Sequence, residues 1–157
     1  MRVGDSRDRA VLERLYPLYL HDLSEFTRHY SLDEHGRWQP DYLSDWLGRR
    51  ECSSLLVRVG GTPAGFALIA ERPFPFMSTQ AEVRLAEFFV ARPFRGRGVG
   101  RAGATAAFDS FHGRWQVNVI AANEPAIAFW RRVVSDYTDG RFQETVDSDD
   151  VTFWLAT

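Results

Sequence analysis

Apolar residues recur at steps of three and four between residues 7 and 26, at Val11, Leu12, Leu15, Leu18, Tyr19, Leu23 and Phe26. This is the spacing of one face of a helix. Pro17 lies inside that stretch, and because it lacks an N–H and crowds the preceding turn it predicts a kink or a break. A second, short helix is expected where Pro40, at a first-turn position, precedes Tyr42, Leu43, Trp46 and Leu47. The period then falls to two. Residues 53–59 and 63–70 are β-prone runs separated by Gly60 and Gly61, which tolerate positive φ and so signal a hairpin. Residues 71–80, with Pro73, Phe74, Pro75, Phe76 and Met77, predict an irregular segment whose apolar side chains need a surface to rest on. There follow a strand over 82–90, a glycine-rich turn, a small-residue helix over 98–111, a strand over 115–121 and a helix over 123–134. Two strands, 137–146 and 151–155, close the chain around the polar turn Asp147-Ser148-Asp149-Asp150. Two helices, a hairpin, a β-α-β-α unit and a last hairpin describe a mixed-sheet α/β protein.

Composition narrows the class. At 157 residues, 45% hydrophobic and 25% charged, the chain is expected to form one domain over residues 1–157, large enough to bury about 68–70% of its extended surface without a metal or disulfide staple. Cys52 is the only cysteine and fits a reducing compartment. No apolar run approaches a membrane span and the chain opens on charged residues, so a cytoplasmic protein with no membrane partner is expected. A net charge of −2 argues against a nucleic-acid partner, which needs a basic surface. All 19 basic residues are arginine, which excludes a lysine Schiff base, a phosphate-loop lysine and a serine-lysine pair. No histidine stands at the spacing of a known metal-binding motif with another histidine, cysteine or carboxylate, and no metal site is expected.

Arg92, Arg95, Arg97 and Arg101 fall within ten positions, interleaved with Gly96, Gly98 and Gly100, between a strand and a helix. Glycines let backbone approach a ligand, and the first helical N–H groups have no intrahelical partner, so this turn reads as a site for phosphate or pyrophosphate. Two cofactor classes fit it. Gly98-Val99-Gly100-Arg101-Ala102-Gly103 matches the dinucleotide pattern GxGxxG, with Glu124 as a possible ribose-binding acid. Against that reading, seven residues separate Val90 from Gly98, whereas a dinucleotide turn places its first glycine almost directly after the strand, and too little chain follows for a second mononucleotide half. The other pattern is R/Q-x-x-G-x-G/A, met by Arg95-Gly96-Arg97-Gly98-Val99-Gly100.

That second pattern, in the context Val90 to Gly100, resembles the acetyl-coenzyme A loop of the GCN5-related N-acetyltransferase (GNAT) family. Asn123-Glu124-Pro125-Ala126-Ile127-Ala128-Phe129-Trp130 is similar to that family's N-x-x-A-x-x-F-Y segment, and the element order fits along nearly the whole chain. The resemblance implies a GNAT fold, a central, mostly antiparallel twisted sheet flanked by helices, with acetyl-coenzyme A as donor and a small-molecule or peptide amine as acceptor. Family members usually begin with a strand, for which residues 1–4 are scarcely long enough. Trp130 stands where many members have a tyrosine that protonates the leaving thiolate; an indole is no practical acid, so that role falls to no residue or to another such as Tyr137.

Acetyl transfer requires an ammonium to lose a proton, the thioester oxygen to be stabilised and a thiolate to depart. The candidate base is Glu87, mid-strand, with alternate positions Leu85 and Phe89 expected to raise its pKa. By resemblance, a backbone N–H near Phe89 or Val90 meets the thioester oxygen. The N–H groups of 96–101, with Arg95 and Arg97, hold phosphate, and Asn123, Phe129 and Trp130 flank the coenzyme's arm. Substrate contacts are placed at His21, Asp22, Glu25 and Phe76 by location alone. The competing reading is a non-catalytic acyl-coenzyme A sensor, which the absent tyrosine favours. Sheet edges left open also leave room for a homodimer.

Overall fold

The computed structural model describes residues 6–157. Helix α1, Ser6–Leu23, is continuous through Pro17. The expected break does not form because Pro17 lies on the exposed side of the helix, with Glu13 and Arg14 exposed one turn back, where water can take up the carbonyl that proline frees. Its buried stripe is Leu12, Tyr16 and Leu20. Two unforeseen short strands follow, β1 (Ser31–Leu32) and β2 (Trp38–Gln39), paired antiparallel. Asp33 closes their turn by accepting the N–H groups of His35 and Arg37, each at 2.9 Å. Helix α2, Leu43–Gly48, begins three residues beyond Pro40; Asp41, accepting the Leu43 N–H at 3.0 Å, starts it instead of the proline.

The main sheet comprises β3 (Cys52–Val59), β4 (Thr62–Glu71), β5 (Val83–Val90), β6 (Arg114–Ile120), β7 (Gln143–Val146) and β8 (Asp150–Ala156), in the order β3-β4-β5-β6-β8-β7. All neighbours are antiparallel except β5 and β6. A 3-10 turn, Arg92–Phe94, and helix α3, Val99–Ser110, carry the chain from β5 to β6. Helix α4, Glu124–Thr138, carries it onward from β6. Residues 137 and 138 therefore belong to a helix and not to the expected strand: Val133, Val134 and Thr138 extend the buried stripe of α4, which stops at Asp139 in the left-handed region (φ 51°). The mixed, mostly antiparallel α+β architecture agrees with expectation. With a single parallel pair among the described residues, it offers no doubly wound parallel sheet there for a dinucleotide. An edge strand over residues 1–4 would lie outside the described residues.

Both faces of the sheet are covered. On one, α1 and α2 enclose Leu12, Tyr16, Leu20, Leu43, Leu56, Phe66, Leu68 and Phe89. On the other, Ala104, Ala107 and Phe108 of α3 and Trp130, Val133 and Val134 of α4 pack on Leu55, Ala67, Ile69, Leu85, Trp115 and Val117. Adjacent residues such as Leu55 and Leu56 thus bury on opposite faces, which explains the near-continuous apolar runs of the central strands.

Two irregularities in β5 open a site in the sheet. Leu68 pairs with Glu87 but Ile69 with Leu85, so Ala86 is an extra, unpaired residue. A bulge of this kind advances the alternation by one position. Leu85 consequently packs toward α3 and α4, while Phe89 packs toward α1 and Glu87 turns with it. Second, β5 and β6 pair only over Val83–Leu85 against Trp115–Val117. Beyond those residues the strands part, leaving a gap.

Candidate active site

Two cavities meet at this gap. One, of about 690 Å³, runs from the glycine turn along α4; the other, of about 600 Å³, lies between β5, β6, α2 and the segment before β5. Tyr19, Leu23, Phe88, Asn123, Ala126 and Trp130 line both and mark their junction.

The first cavity is built on the turn. Gly96 and Gly98 take positive φ, 73° and 77°, in the region where glycine carries no steric penalty, and Gly98 caps α3 with no side-chain hydrogen bond. The Ala102 N–H bonds to the Gly98 carbonyl at 3.0 Å; the three N–H groups before it, 99–101, precede the first such bond and face outward. Gly100 lies so close to α4 that a Cβ there would meet the Phe129 ring at 3.0 Å. Gly96, Gly98, Gly100, Arg92, Arg95 and Arg101 form the polar end of this cavity, and Phe88, Phe89, Val90, Ala126, Phe129 and Trp130 the apolar remainder.

The arginines are more committed than charge counting suggests. Arg95 donates from Nε to the Val90 carbonyl at 2.6 Å and pairs with Asp22. Its guanidinium also lies 5.7 Å from the Phe89 ring centre. Arg92 pairs with the same Asp22 at 3.0 Å, and Arg101 with Asp136 at 3.1 Å. Burial raises the Asp22 pKa, but hydrogen bonds from Arg95 and Arg92 outweigh it and hold the carboxyl below its ordinary range. Arg97 is exposed and, among the described residues, has no ion pair. The Val90 carbonyl, held by Arg95, points away from β4. In an antiparallel strand the N–H and carbonyl of a residue point the same way, so the Val90 N–H also faces the gap.

Glu87 occupies the second cavity. It is 8% exposed. Its Oε1 accepts the Tyr16 hydroxyl at 3.0 Å, and its Oε2 is buried with no hydrogen-bond partner. Burial pushes its pKa up to about 7, against downward pulls from the Tyr16 hydroxyl, the Trp46 indole and Arg84. Tyr30, Tyr42, Trp46, Phe74 and Phe76 supply an aromatic wall, and Asp45, Arg49, Arg84 and Asp150 its charged groups. Trp46 stacks on Phe74 at 4.9 Å, and Arg49 covers Phe74 and Phe76. Arg84 fixes the segment before β5 by donating to the Phe76 carbonyl.

Of the residues singled out from sequence, Glu87, Phe89, Val90, Arg95, Gly96, Gly98, Gly100, Arg101, Asn123, Phe129 and Trp130 come together around the two cavities. Asn123 also caps α4, its Oδ1 accepting the Ala126 N–H at 3.1 Å. Arg97 and Val99 sit on the same turn without lining a cavity. Asp22 and Glu25 line the first cavity and not the second, and Asp22 is engaged by arginines. Phe76 does line the second. His21 lines neither; it is exposed and packs on Trp38 at 5.9 Å. Tyr137 is also elsewhere. It stands on the last turns of α4, about 20 Å along the axis from Asn123 at 1.5 Å per residue, and its hydroxyl donates to Asp109 at 2.8 Å. Burial and Asp109 push its pKa up to about 12. Residues that sequence reasoning passes over include Tyr19, Tyr30, Tyr42, Trp46 and Asp150. Tyr19, Tyr42 and Trp46 have a signal only as apolar positions of the first two helices, and Tyr30 and Asp150 have none.

The sequence model of the Acetyltransferase (GNAT) family matches residues 12–134. No curated protein sequence matches the chain. Among solved structures it is similar to an acetyltransferase from Thermus thermophilus, at 16% identity and a TM-score of 0.66, covering 100% of this chain and 96% of that one. A ribosomal-protein-alanine N-acetyltransferase from Brucella melitensis gives 21% identity and a TM-score of 0.61, covering 98% and 97%. YncA from Salmonella typhimurium, with its cofactor acetyl-CoA, gives 17% and 0.60, covering 99% and 94%. At these identities the likeness is one of fold.

Proposed function

The chain belongs to the acetyltransferase (GNAT) family, its sequence matching over residues 12–134, and on that premise we propose that it moves an acetyl group from acetyl-coenzyme A to a primary amine by direct attack. Acetyl-coenzyme A is the family's donor and supplies the acetyl group as a thioester. The first cavity suits such a molecule: bare amides and arginines at one end favour phosphates, and the apolar remainder favours an uncharged arm.

The observation that carries the reading is Glu87, buried, with one oxygen unpartnered, in a cavity that opens onto the coenzyme's. A base must be ionised to accept a proton, and a value near 7 places it where proton transfer at neutral pH is efficient. Glu87 takes a proton from the attacking nitrogen. The Val90 N–H, facing the gap, is placed to hydrogen-bond the thioester oxygen as charge develops there. The aromatic wall, with Phe76 exposed, suits an acceptor whose amine is attached to an apolar or aromatic portion, on a small molecule or a peptide.

The test is release of free thiol from acetyl-coenzyme A when purified protein is offered a panel of aliphatic, arylalkyl and amino-acid amines. Turnover with at least one amine, fastest for those with apolar portions, supports the reading. The second reading, a module that binds acyl-coenzyme A without turnover, draws on Trp130 in place of an acid. Tight binding with no thiol release on any amine would establish it and end the first.

A further inference from the structure

We infer that Tyr19 is the group that protonates the departing thiolate. The inference rests on the acetyl transfer proposed above and supplies the acid that Trp130 cannot be. The leaving sulfur has to lie where the donor cavity meets the acceptor cavity, because only there can an amine beside Glu87 reach the thioester. Six residues line both cavities, and of these Leu23, Phe88 and Ala126 carry no polar side-chain atom. The Asn123 amide is an N-cap, its oxygen engaged by the Ala126 N–H. Trp130 is an indole buried against Phe88 and Phe129. Tyr19 is the one hydroxyl at that junction.

Its position is held by packing. The ring meets Phe66 edge-on at 5.7 Å and Phe89 at 6.2 Å, and its neighbour Tyr16 at 5.8 Å. Tyr16, one turn earlier on α1, holds Glu87, so one helix carries both the tyrosine bound to the base and the tyrosine that lines the junction. Burial, then the charge of Glu87, keep the Tyr19 hydroxyl protonated well above the ordinary range, while Arg84 opposes them. Once Glu87 has taken the amine's proton, its negative charge is gone and the phenol is a better acid.

The step balances. The nitrogen–carbon bond forms and the carbon–sulfur bond breaks, its electron pair remaining on sulfur. An amine that arrives as its ammonium first releases one proton to water; the proton that the attacking nitrogen then loses passes to Glu87, and the Tyr19 proton passes to sulfur. Return of the proton from Glu87 to the Tyr19 phenolate restores both residues, and the products are the amide and free coenzyme A.

Tyr19→Phe tests this, because it keeps the ring and its contacts. With an amine that the wild type acetylates, kcat falls about 10²-fold, the lower end of what a general acid contributes, and KM for acetyl-coenzyme A stays within about threefold. A binding readout accompanies it. The wild type binds coenzyme A several-fold more tightly than desulfo-coenzyme A, about what one hydrogen bond is worth, and Tyr19→Phe binds the two alike. Turnover that survives the substitution within about twofold overturns the inference and leaves the acetyltransferase reading standing. A fall in kcat without any preference for the thiol in the wild type also overturns it, since the hydroxyl would then act away from sulfur. Wild-type protein that acetylates no amine removes both readings together.

Discussion

Glu87 shows how a raised pKa can be expected from sequence for an incomplete reason. Alternation suggests that Leu85 and Phe89 flank it, but Leu85 faces the opposite side of the sheet, and the residue is enclosed instead by Tyr16, Tyr19 and Trp46. Its pKa, raised by burial from the usual 4.5 to about 7, has a thermodynamic consequence. The folded protein holds that proton more firmly than the unfolded chain, so the stability it contributes is fully present below about pH 4.5 and is lost as pH climbs through 7. Glu87→Gln removes this dependence. Thermal unfolding at pH 5 and pH 8 will show the wild type losing more stability between the two than the variant, by about 1 to 3 kcal/mol; parallel losses would show that the carboxyl is not perturbed. Tyr16→Phe acts on the chemistry. It deletes a 3.0 Å hydrogen bond that favours the ionised form, so the base titrates higher and the rise of rate with pH moves to higher pH. An unmoved profile would exclude Tyr16 from positioning the base.

Among the elements, β5 carries the centre of the candidate site, and it is the least legible. Its extent is readable from its β-prone run, but the bulge at Ala86 is defined by the partner strand's register, and the gap by where β6 stops pairing. Neither leaves a mark in a single sequence. The hairpin of β1 and β2 escapes a sequence reading because two-residue strands are too short to show a period. Tyr137 reads as strand because aromatic residues favour strands, yet it continues the helical stripe of α4. The bulged strand also depends on its neighbour: a Cβ at Gly65 would stand 2.1 Å from the Phe89 carbonyl oxygen, and backbone cannot swing aside as a side chain can. Gly65→Ala is expected to cost about 1 to 3 kcal/mol by overpacking and, by shifting Phe89 and Val90, to weaken coenzyme binding as well. Denaturant unfolding and a coenzyme titration check the two effects, and unchanged values for both would show that this end of β5 tolerates displacement. Asn123→Ala removes the cap of α4 and should cost about 1 kcal/mol in the same unfolding assay.

Across the whole molecule, the two apolar clusters lie on opposite faces of one sheet, and the gap between β5 and β6 is the place where chemistry can pass between them. The doubly covered strands and the glycine turn are legible in the sequence because hydrophobic period and backbone freedom are local properties. It could not reveal that Asp22 ties α1 to that turn through Arg92 and Arg95, or that five aromatic residues from three separate stretches of chain form one wall, because those follow from distant packing. The same packing puts base and donor site side by side, and the claim that this adjacency performs acetyl transfer is tested most directly by the pH dependence of kcat/KM for the best amine found, measured on wild type and Glu87→Gln. The wild-type rate is expected to rise with pH through an inflection near 7 and to level off above about pH 8, with the variant at least about 10²-fold slower on that plateau and lacking the inflection. Coincident profiles for the two proteins would contradict the claim.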